Sequence, residues 1–564
     1  MNLARLRALD FQLKLKVVFE SVVLIVLLAS MFLALSPVQA EDPPQTIYVD
    51  VENISDPYED GSQEHPFDSI QEGIDAAISG DTIRVAPGVY FEGIVISKHK
   101  SRILLIGEEG TIIDGEGKRS GIRLAVNLGP EYLDNVTIAG FTVQNCVKGI
   151  TLMRSRNARL RNNTMVGNLY NFADYSLQIN DVDTSNTVDG KPVYYWVNEH
   201  DRQVPLDAGY VGLINCSNIL VKDLYLTSNG QGLLLKNTAF SRIENISVIN
   251  NQDGIYLDLE SANNTVIGNT ISGNAYMGVY LSTSSSNLIS NNIILNNSYG
   301  VYLTTGHGLE TINNIVINNT IEGHWKAVVL RGEIWNPITS NIIKDNLLLN
   351  NSIAISTSLS ALNLFYHNNF INNEKPVENS DGENVWDYLG EGNYWSAYDG
   401  ADANNDGIGD VPYTFDQYNK DNFPLRGFFK SFHIVWEETA YPVHIISNLA
   451  ISNISLFQPE KSVALDVWTE DNEAAFCRVT IPTDLLGSPY HVLVSGSQVS
   501  DLTEKSNGTH AFLFFTYEGD ARRIEIFGET VIPEFPQVSF VLLLLTATLF
   551  AIFAKKRFRH CTLT

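Results

Sequence analysis

Between residues 263 and 287 the chain reads NNTVIGNTISGNAYMGVYLSTSSSN, and LISNNIILNNSYGVYL follows as a near repeat. Short aliphatic, β-branched runs alternate with Asn, Gly and Ser, a pattern that predicts strand, turn, strand. Two rulers set the period. Gly254-Ile-Tyr-Leu257, Gly278-Val-Tyr-Leu281 and Gly300-Val-Tyr-Leu303 repeat one signature, and Gly232-Leu-Leu-Leu235 stands 22 residues ahead of the first. Asn269, Asn292, Asn319, Asn346 and Asn369 stand 23, 27, 27 and 23 residues apart. Each has an aliphatic residue two places on: Ile271, Ile294, Ile321, Leu348 and Ile371.

Such a period predicts a solenoid. Leucine-rich repeats share it but need a leucine-dense consensus and often a helix, and neither is visible. Coils of short strands stacked about 4.8 Å apart pair each strand with its equivalent one coil away, so like side chains form columns. Asparagine suits the corners of a parallel β-helix. It tolerates left-handed backbone, and its amide can accept from one coil while donating to another. The five asparagines are therefore expected to form a structural ladder.

Outside the repeat the pattern changes. PFDSIQEGIDAAISGD predicts a helix with Asp68 or Ser69 as N-cap and Ile70, Ile74, Ala77 and Ile78 on one face, covering the open edge of the first coil. Residues 41–120 thus read as an N-terminal cap with the first coils, and 121–426 as the β-helix proper. Residues 427–530 lose the asparagines and gain alternating strands such as PYHVLVSG and HAFLFFTYEG, which predict a β-sandwich. Residues 1–40 carry Arg5, Arg7, Lys14 and Lys16 before an apolar run from Val22 to Leu35. They read as a secretory signal cleaved after Ala40, with an uncleaved anchor helix as the alternative. Residues 531–564 hold QVSFVLLLLTATLFAIFA before Lys555, Lys556, Arg557 and Arg559, the pattern of a C-terminal transmembrane helix with a basic cytoplasmic tail. The expected location is outside the cytoplasm, tethered to the cell membrane. VIPEFP, the apolar span and the basic tail also resemble the C-terminal sorting signals of archaeal surface proteins, which implies a lipid anchor in place of the span.

A net charge of −27 argues against nucleic acid as a partner, because phosphates call for a basic footprint. The four cysteines lack CxxC spacing, so neither a disulfide framework nor a zinc site is indicated.

DGSQEHPFDSIQEGIDAAISGDTIRVAPGVYFEGIVISK resembles the N-terminal opening of right-handed pectin-lyase-like β-helix proteins. NTVDGKPVYYW, INCSNILVKDLYL and GNYWSAYDGADANNDGIGDVPY resemble the NosD family, over roughly residues 45–426. The resemblance implies a right-handed parallel β-helix. The family is named for a periplasmic protein linked to copper delivery, and many archaeal surface proteins share its repeats. Copper carriers use clustered Met, Cys or His. Here five methionines and eleven histidines are scattered, with no HxH, MxxM or CxxC pair, so these residues do not support copper.

Chemistry has few places to sit. From Ser261 to Gly306 there is no Asp, Glu, Lys, Arg or His, so those coils read as scaffold. The repeat is interrupted at 169–210, read as an inserted loop. It concentrates Asp181, Asp183, Asp189, Glu199, His200 and Asp201 beside Tyr194, Tyr195 and Trp196. Aromatic faces flanked by carboxylates suit sugars; otherwise the aromatics pin the loop to the helix and the acids are solvated. DANNDGIGD offers Asp402, Asn404, Asp406, the carbonyl of Ile408 and Asp410 in the alternation of an EF-hand loop, with a glycine bend at Gly407. Tyr413 replaces the closing Glu, so loop 399–413 is expected to hold calcium as a structural staple rather than as a switch. A surface-tethered, non-catalytic protein that binds carbohydrate or serves adhesion follows from these features. A polysaccharide lyase or glycoside hydrolase is the alternative and needs acids converging near 181–207. A copper-delivery accessory protein is the second alternative.

Overall fold

The computed structural model describes residues 16, 19, 21–23, 43–54, 56–124, 132–306, 308–379, 381–468, 475–517, 522–532 and 545–548. The chain divides into two compact units, Met1–Gln45 and Thr46–Thr564. In the first, Lys16, Phe19 and Ser21–Val23 are helical, and the remainder of the expected signal segment lies outside the described residues.

The second unit opens with strand Thr46–Val49, followed by the helix Ile70–Ala76, capped by Ser69, whose Oγ accepts from the Glu72 amide. Glu92 supplies a second anion at this N-terminus, accepting from the amides of Ile70 (2.8 Å) and Gln71 (3.1 Å). Ile70 and Ile74 are fully buried, as a cap over strands Thr46–Val49 and Thr82–Val85 requires.

Beyond the cap the strands pair parallel, coil on coil, in two stacks. The first has a six-stranded sheet from Thr46–Val49 to Asp181–Val182 and a four-stranded sheet from Ile94–Ile96 to Tyr170–Asp174. The second has two eight-stranded sheets, His200–Gln203 to Leu364–Tyr366 and Tyr225–Thr227 to Tyr394–Trp395. A sheet of 14 strands, Gly88–Tyr90 to Lys375–Asn379, serves both. Its continuity hides one reversal: Thr187–Val188 pairs antiparallel with Lys191–Val197 around Asp189 (φ 47°) and Gly190 (φ 80°). Two left-handed residues in sequence make the tight hairpin that Asp-Gly favours. Segment 169–210 is therefore not the loop that its composition suggested. It supplies strands Tyr170–Asp174, Asp181–Val182, Thr187–Val188, Lys191–Val197 and His200–Gln203, because its polar residues lie on the outer or junction faces of coils that still pair.

Each asparagine pair divides its labour. The first member takes the left-handed corner (Asn263 φ 56°, Asn291 φ 53°, Asn313 φ 57°, Asn318 φ 55°). The second is buried and builds the ladder: Asn292 Oδ1 accepts from the main-chain and side-chain nitrogens of Asn269, and Asn292 Nδ2 donates to Asn319 Oδ1. Asn319 is joined to Asn346 in the same way. The column then passes to Asn368 and Asn393, not to Asn369. This corrects the fifth rung. That coil has 22 residues and its left-handed corner is His367 (φ 57°), so the ladder position is Asn368 and Phe370, rather than Ile371, stacks beneath Leu348. A one-residue slip reverses which face a side chain takes. Asn369 instead points to the C-terminal domain, accepting from the Phe429 amide (2.8 Å) and donating to its carbonyl (2.9 Å).

The far end is closed by rings. Trp386 stacks on Phe365 (centroids 4.4 Å) and Trp395 on Phe370 (4.0 Å), both tryptophans 1% exposed. The Asp421 carboxylate accepts from Trp395 Nε1 at 2.9 Å. Residues from Phe428 onward form two five-stranded antiparallel sheets packed as a sandwich around Val443, Val463, Cys477, Leu513 and Ile526.

No helix among the described residues is long and apolar enough to cross a membrane. This corrects the expected transmembrane helix at 531–564. Its described helical part is Leu545–Thr548, about one turn or roughly 6 Å, against the roughly 30 Å of a hydrocarbon core. Most of the segment lies outside the described residues.

Candidate functional site

The Gly-[Ile/Val]-Tyr-Leu signature sorts residues between the two faces of the long sheet. Gly278 and Gly300 turn inward against Ile294 and Ile321; a Cβ on either would lie under 3.0 Å from the isoleucine Cγ2. Val279, Leu281, Val301 and Leu303 fill the interior. Tyrosine is left outside. Tyr256, Tyr280 and Tyr302 are register partners on successive strands, so their rings form a row with centroids 4.5 and 5.7 Å apart. Tyr299 meets both Tyr302 and Trp325 edge-on at 5.3 Å. Tyr276 and Trp325, 52% and 54% exposed, stand at the margin. The sequence named this signature only as a ruler; its alternation already placed the tyrosine opposite the core.

A wall closes one end of this floor. Segment Phe172–Ser176 of the first stack crosses the outer face of strand Gln231–Lys236, with Gly230 N donating to Phe172 O (2.8 Å). Lys236 Nζ reaches Asp174 Oδ2 (2.8 Å), which also accepts from Tyr195 Oη (2.7 Å). That ion pair is buried and its carboxylate is well supplied with donors, as a buried pair must be. On the floor side, Gln252 Nε2 donates to Tyr175 Oη (2.6 Å), which donates to Asp253 Oδ2 (3.3 Å). The Lys148 ammonium lies 5.6 Å from the Tyr175 ring centroid. Burial pushes the Asp253 carboxyl up to about 6, moves Lys148 down, and raises Tyr280 to about 12. Burial thus keeps Tyr256 and Tyr280 neutral at any physiological pH.

The residues singled out at 181–207 scatter. Tyr194 and Trp196 pack against the second core, whereas Tyr195, 6% exposed, enters the first. Adjacent strand residues face opposite ways, so the three rings cannot share one platform. Tyr194 Oη donates to Asp207 (3.0 Å), and the Arg202 guanidinium lies 4.5 Å from the Trp196 ring. Glu199 pairs with Arg202 (2.7 Å), and His200 Nδ1 meets Ser217 Oγ at 2.8 Å. Asp181 and Asp183 sit on the first stack and both pair with Arg161.

In loop 399–413 the carboxylates hold main-chain amides. Asp402 accepts from Asp406 N (3.0 Å) and Gly407 N (2.8 Å), Asp406 from Ile408 N (3.1 Å), and Asp410 from Ala403 N (2.6 Å). Asn404 Nδ2 lies 3.3 Å from Asp410 Oδ1. Among the described residues the His, Cys, Asp or Glu set that converges within 4.8 Å is Glu59, Asp68 and Glu72, so the loop's aspartates stand further apart.

Two family models match. One, described as right handed beta helix region, covers residues 208–333, and one described as periplasmic copper-binding protein (NosD) covers 309–400. A probable ABC transporter binding protein NosD of Stutzerimonas stutzeri is 34% identical over 93 residues, which is 16% of this chain. The chain spans about a fifth of the length of that curated relative. Among solved structures, the Azotobacter vinelandii mannuronan C-5 epimerase AlgE6 A-module is 12% identical, covering 60% of this chain and 100% of its own, with TM-score 0.25. The tailspike protein of E. coli bacteriophage HK620 in complex with pentasaccharide is 13% identical, covering 86% and 94%, with TM-score 0.31. At these TM-scores neither likeness carries an argument about this chain. The matched segments and the parallel coils they fold into support a NosD-type right-handed β-helix over residues 208–400.

Proposed function

We propose that the outer face of the long sheet binds an extended glycan and does not cleave it, outside the cytoplasm, where the matched family's description also points. The row Tyr256–Tyr280–Tyr302 carries this reading. A pyranose presents C–H groups on its faces and hydroxyls at its rim, so a phenol offers it both an apolar plane and a hydrogen-bonding edge. Rings one strand apart repeat that offer along a polymer. The coils of Tyr280 and Tyr302 hold no Asp, Glu, Lys, Arg or His from Ser261 to Gly306, and glycosyl hydrolysis calls for two carboxylates flanking one bond.

The test is a panel of soluble polysaccharides offered to the protein, scored for retention and for release of reducing or unsaturated ends. Retention without release is expected, with Tyr280→Ala weakening it about tenfold. Release of ends would replace this reading with the enzymatic one.

Calcium in loop 402–410 is proposed as a structural staple of the end that carries Trp386 and Trp395. The left-handed Asn405 (φ 51°) and Gly407 (φ 81°) bend the chain, and the carboxylates of Asp402, Asp406 and Asp410 accept from main-chain amides across that bend. Adding a chelator is expected to lower the melting temperature, and Asp406→Ala to abolish that response. An identical melting curve with and without chelator removes the staple.

A further inference from the structure

The tyrosine row does not run the length of its sheet. Its register partner one strand earlier is Leu234, which has no exposed surface, because Phe172–Ser176 lies over it. The cover is tight: a Cβ on Gly230 would stand 2.2 Å from the Ala173 Cβ, and Asn171 N donates to Ser228 O at 2.6 Å. In the other direction the row passes from Tyr302 to Val329 and Ser356, which are nearly buried. The ring floor therefore spans three strands, two coil steps or roughly 10 Å, and stops dead at one end.

Polar groups gather at that stop. Tyr175, Gln252 and Asp253 are linked by hydrogen bonds, with Lys148 beside them, whereas the floor itself is a row of rings, with Arg331 hydrogen-bonded to Tyr302 and Lys326 over Trp325 at its other end. From this arrangement we infer that the site takes the end of a glycan chain rather than a stretch of its interior. This rests on the glycan-binding reading. An internal segment lying on the tyrosines would have to continue through the space that Phe172–Ser176 fills. A terminal residue needs no exit. It also carries a hydroxyl that an internal residue has surrendered to its linkage, and a wall of hydrogen-bonding groups is the feature that discriminates on one hydroxyl. The ligand class is a linear oligosaccharide or polysaccharide with a free end, seated by two to three rings and read by the wall.

Stoichiometry tests this. The full chain is titrated with linear glucans, mannans, galactans and polyuronates, each as a short and a long size fraction of known molar concentration, and with a cyclic glucan of matching linkage. For whichever linear polymer is retained, the expected result is a fixed number of protein molecules per chain at both lengths, with no retention of the cyclic form. Lys148→Ala and Gln252→Ala are expected to weaken binding of the short fraction about tenfold, Lys148→Ala with unchanged melting temperature and Gln252→Ala with a lowered one, since the buried Gln252 amide donates to Tyr175. Protein bound per chain that grows with chain length overturns end recognition and leaves the stacking reading standing. Failure to retain any glycan overturns both. Should the wall variants fold poorly, the stoichiometry of the unaltered protein decides alone.

Discussion

Replacing Asn292 with alanine is expected to lower the free energy of unfolding by about 3–5 kcal/mol, more than any single surface change on the solenoid. Its amide is fully engaged at 1% exposure. Oδ1 accepts from Asn269 N (3.0 Å) and Nδ2 (2.9 Å), and Nδ2 donates to Val266 O (2.9 Å) and Asn319 Oδ1 (2.9 Å). Alanine strands at least the Asn269 amide and the Val266 carbonyl away from water, and each orphaned group costs about 1–3 kcal/mol. The preceding Asn291 is the control. It is exposed and left-handed (φ 53°), so Asn291→Ala meets only the backbone penalty, about 1–2 kcal/mol, and Asn291→Gly close to none. Urea unfolding of the three variants decides the matter. Equal losses at 291 and 292 would refute the division of labour within the pair.

That pair shows how far the sequence could be read. Period and architecture were legible because every coil repeats the same local choices, and repeats that agree with one another leave little room for another fold. Four of the five rungs were placed correctly by counting alone. The fifth failed because His367-Asn368-Asn369 offers two asparagines, and spacing cannot tell which follows the left-handed residue. Two further columns, through Asn264, Asn287 and Asn314 and through Asn251, Asn274 and Asn297, went unread for the same reason. In the second, His324 takes a rung: its Nδ1 lies 3.1 Å from Asn297 N, and burial lowers its affinity for a proton.

The site was less legible than the fold. Composition drew attention to 169–210, where acids and aromatics are dense, but density along the chain is not proximity in space. Alternation sends Tyr195 one way and Tyr194 and Trp196 the other, and basic partners absorb Asp181, Asp183 and Glu199. The Asp189-Gly190 hairpin signal lay inside the quoted NTVDGKP and could have identified the reversal. The tyrosine floor, by contrast, is built from residues 22 to 24 apart that look like scaffold one coil at a time. Only stacking makes them a surface, and only the first stack, folding across Leu234, gives that surface an end.

Stability of the joint between solenoid and sandwich is expected to peak near pH 6.5 and to fall on both sides, with one histidine responsible for each flank. His367 lies with its ring on Phe429 (centroids 3.7 Å), beside a cavity of about 480 Å³ that His444 and Glu391 also line. Its Nε2 meets Glu391 Oε2 at 2.9 Å and its Nδ1 faces Asp345 Oδ1 at 3.5 Å. Arg478 of the sandwich holds the other oxygen of Glu391 (2.6 Å), and Lys344 pairs with Asp345 (3.3 Å). Burial opposes a charge on His367, but the hydrogen bonds to Asp345 and Glu391 outweigh it and raise its pKa. His444, edge-on to His367 at 6.0 Å, is pushed down to about 4 by burial and by the charge on His367. The signs are opposite. His367 binds its proton more tightly folded than unfolded, so its contribution is complete below about 6.5 and disappears as pH rises through its raised pKa. His444 binds less tightly folded, so between about 4 and 6.5 the unfolded chain holds the extra proton and stability climbs with pH, by about 3 kcal/mol over that window. Glu391, held low by His367 and Arg478 despite its burial, adds to the loss below the ordinary carboxylate range. Urea midpoints of wild type, His367→Gln and His444→Phe from pH 4 to 9 separate these contributions, because subtracting variant from wild type cancels every other histidine. His367→Gln should flatten the alkaline flank and, by removing the charge that helps to depress His444 and Glu391, also soften the acid flank, whereas His444→Phe, which keeps a ring against Phe429, should flatten the acid flank and leave the alkaline one. An acid flank that survives His444→Phe undiminished would show that the proton is taken up elsewhere and that this cluster does not govern the joint.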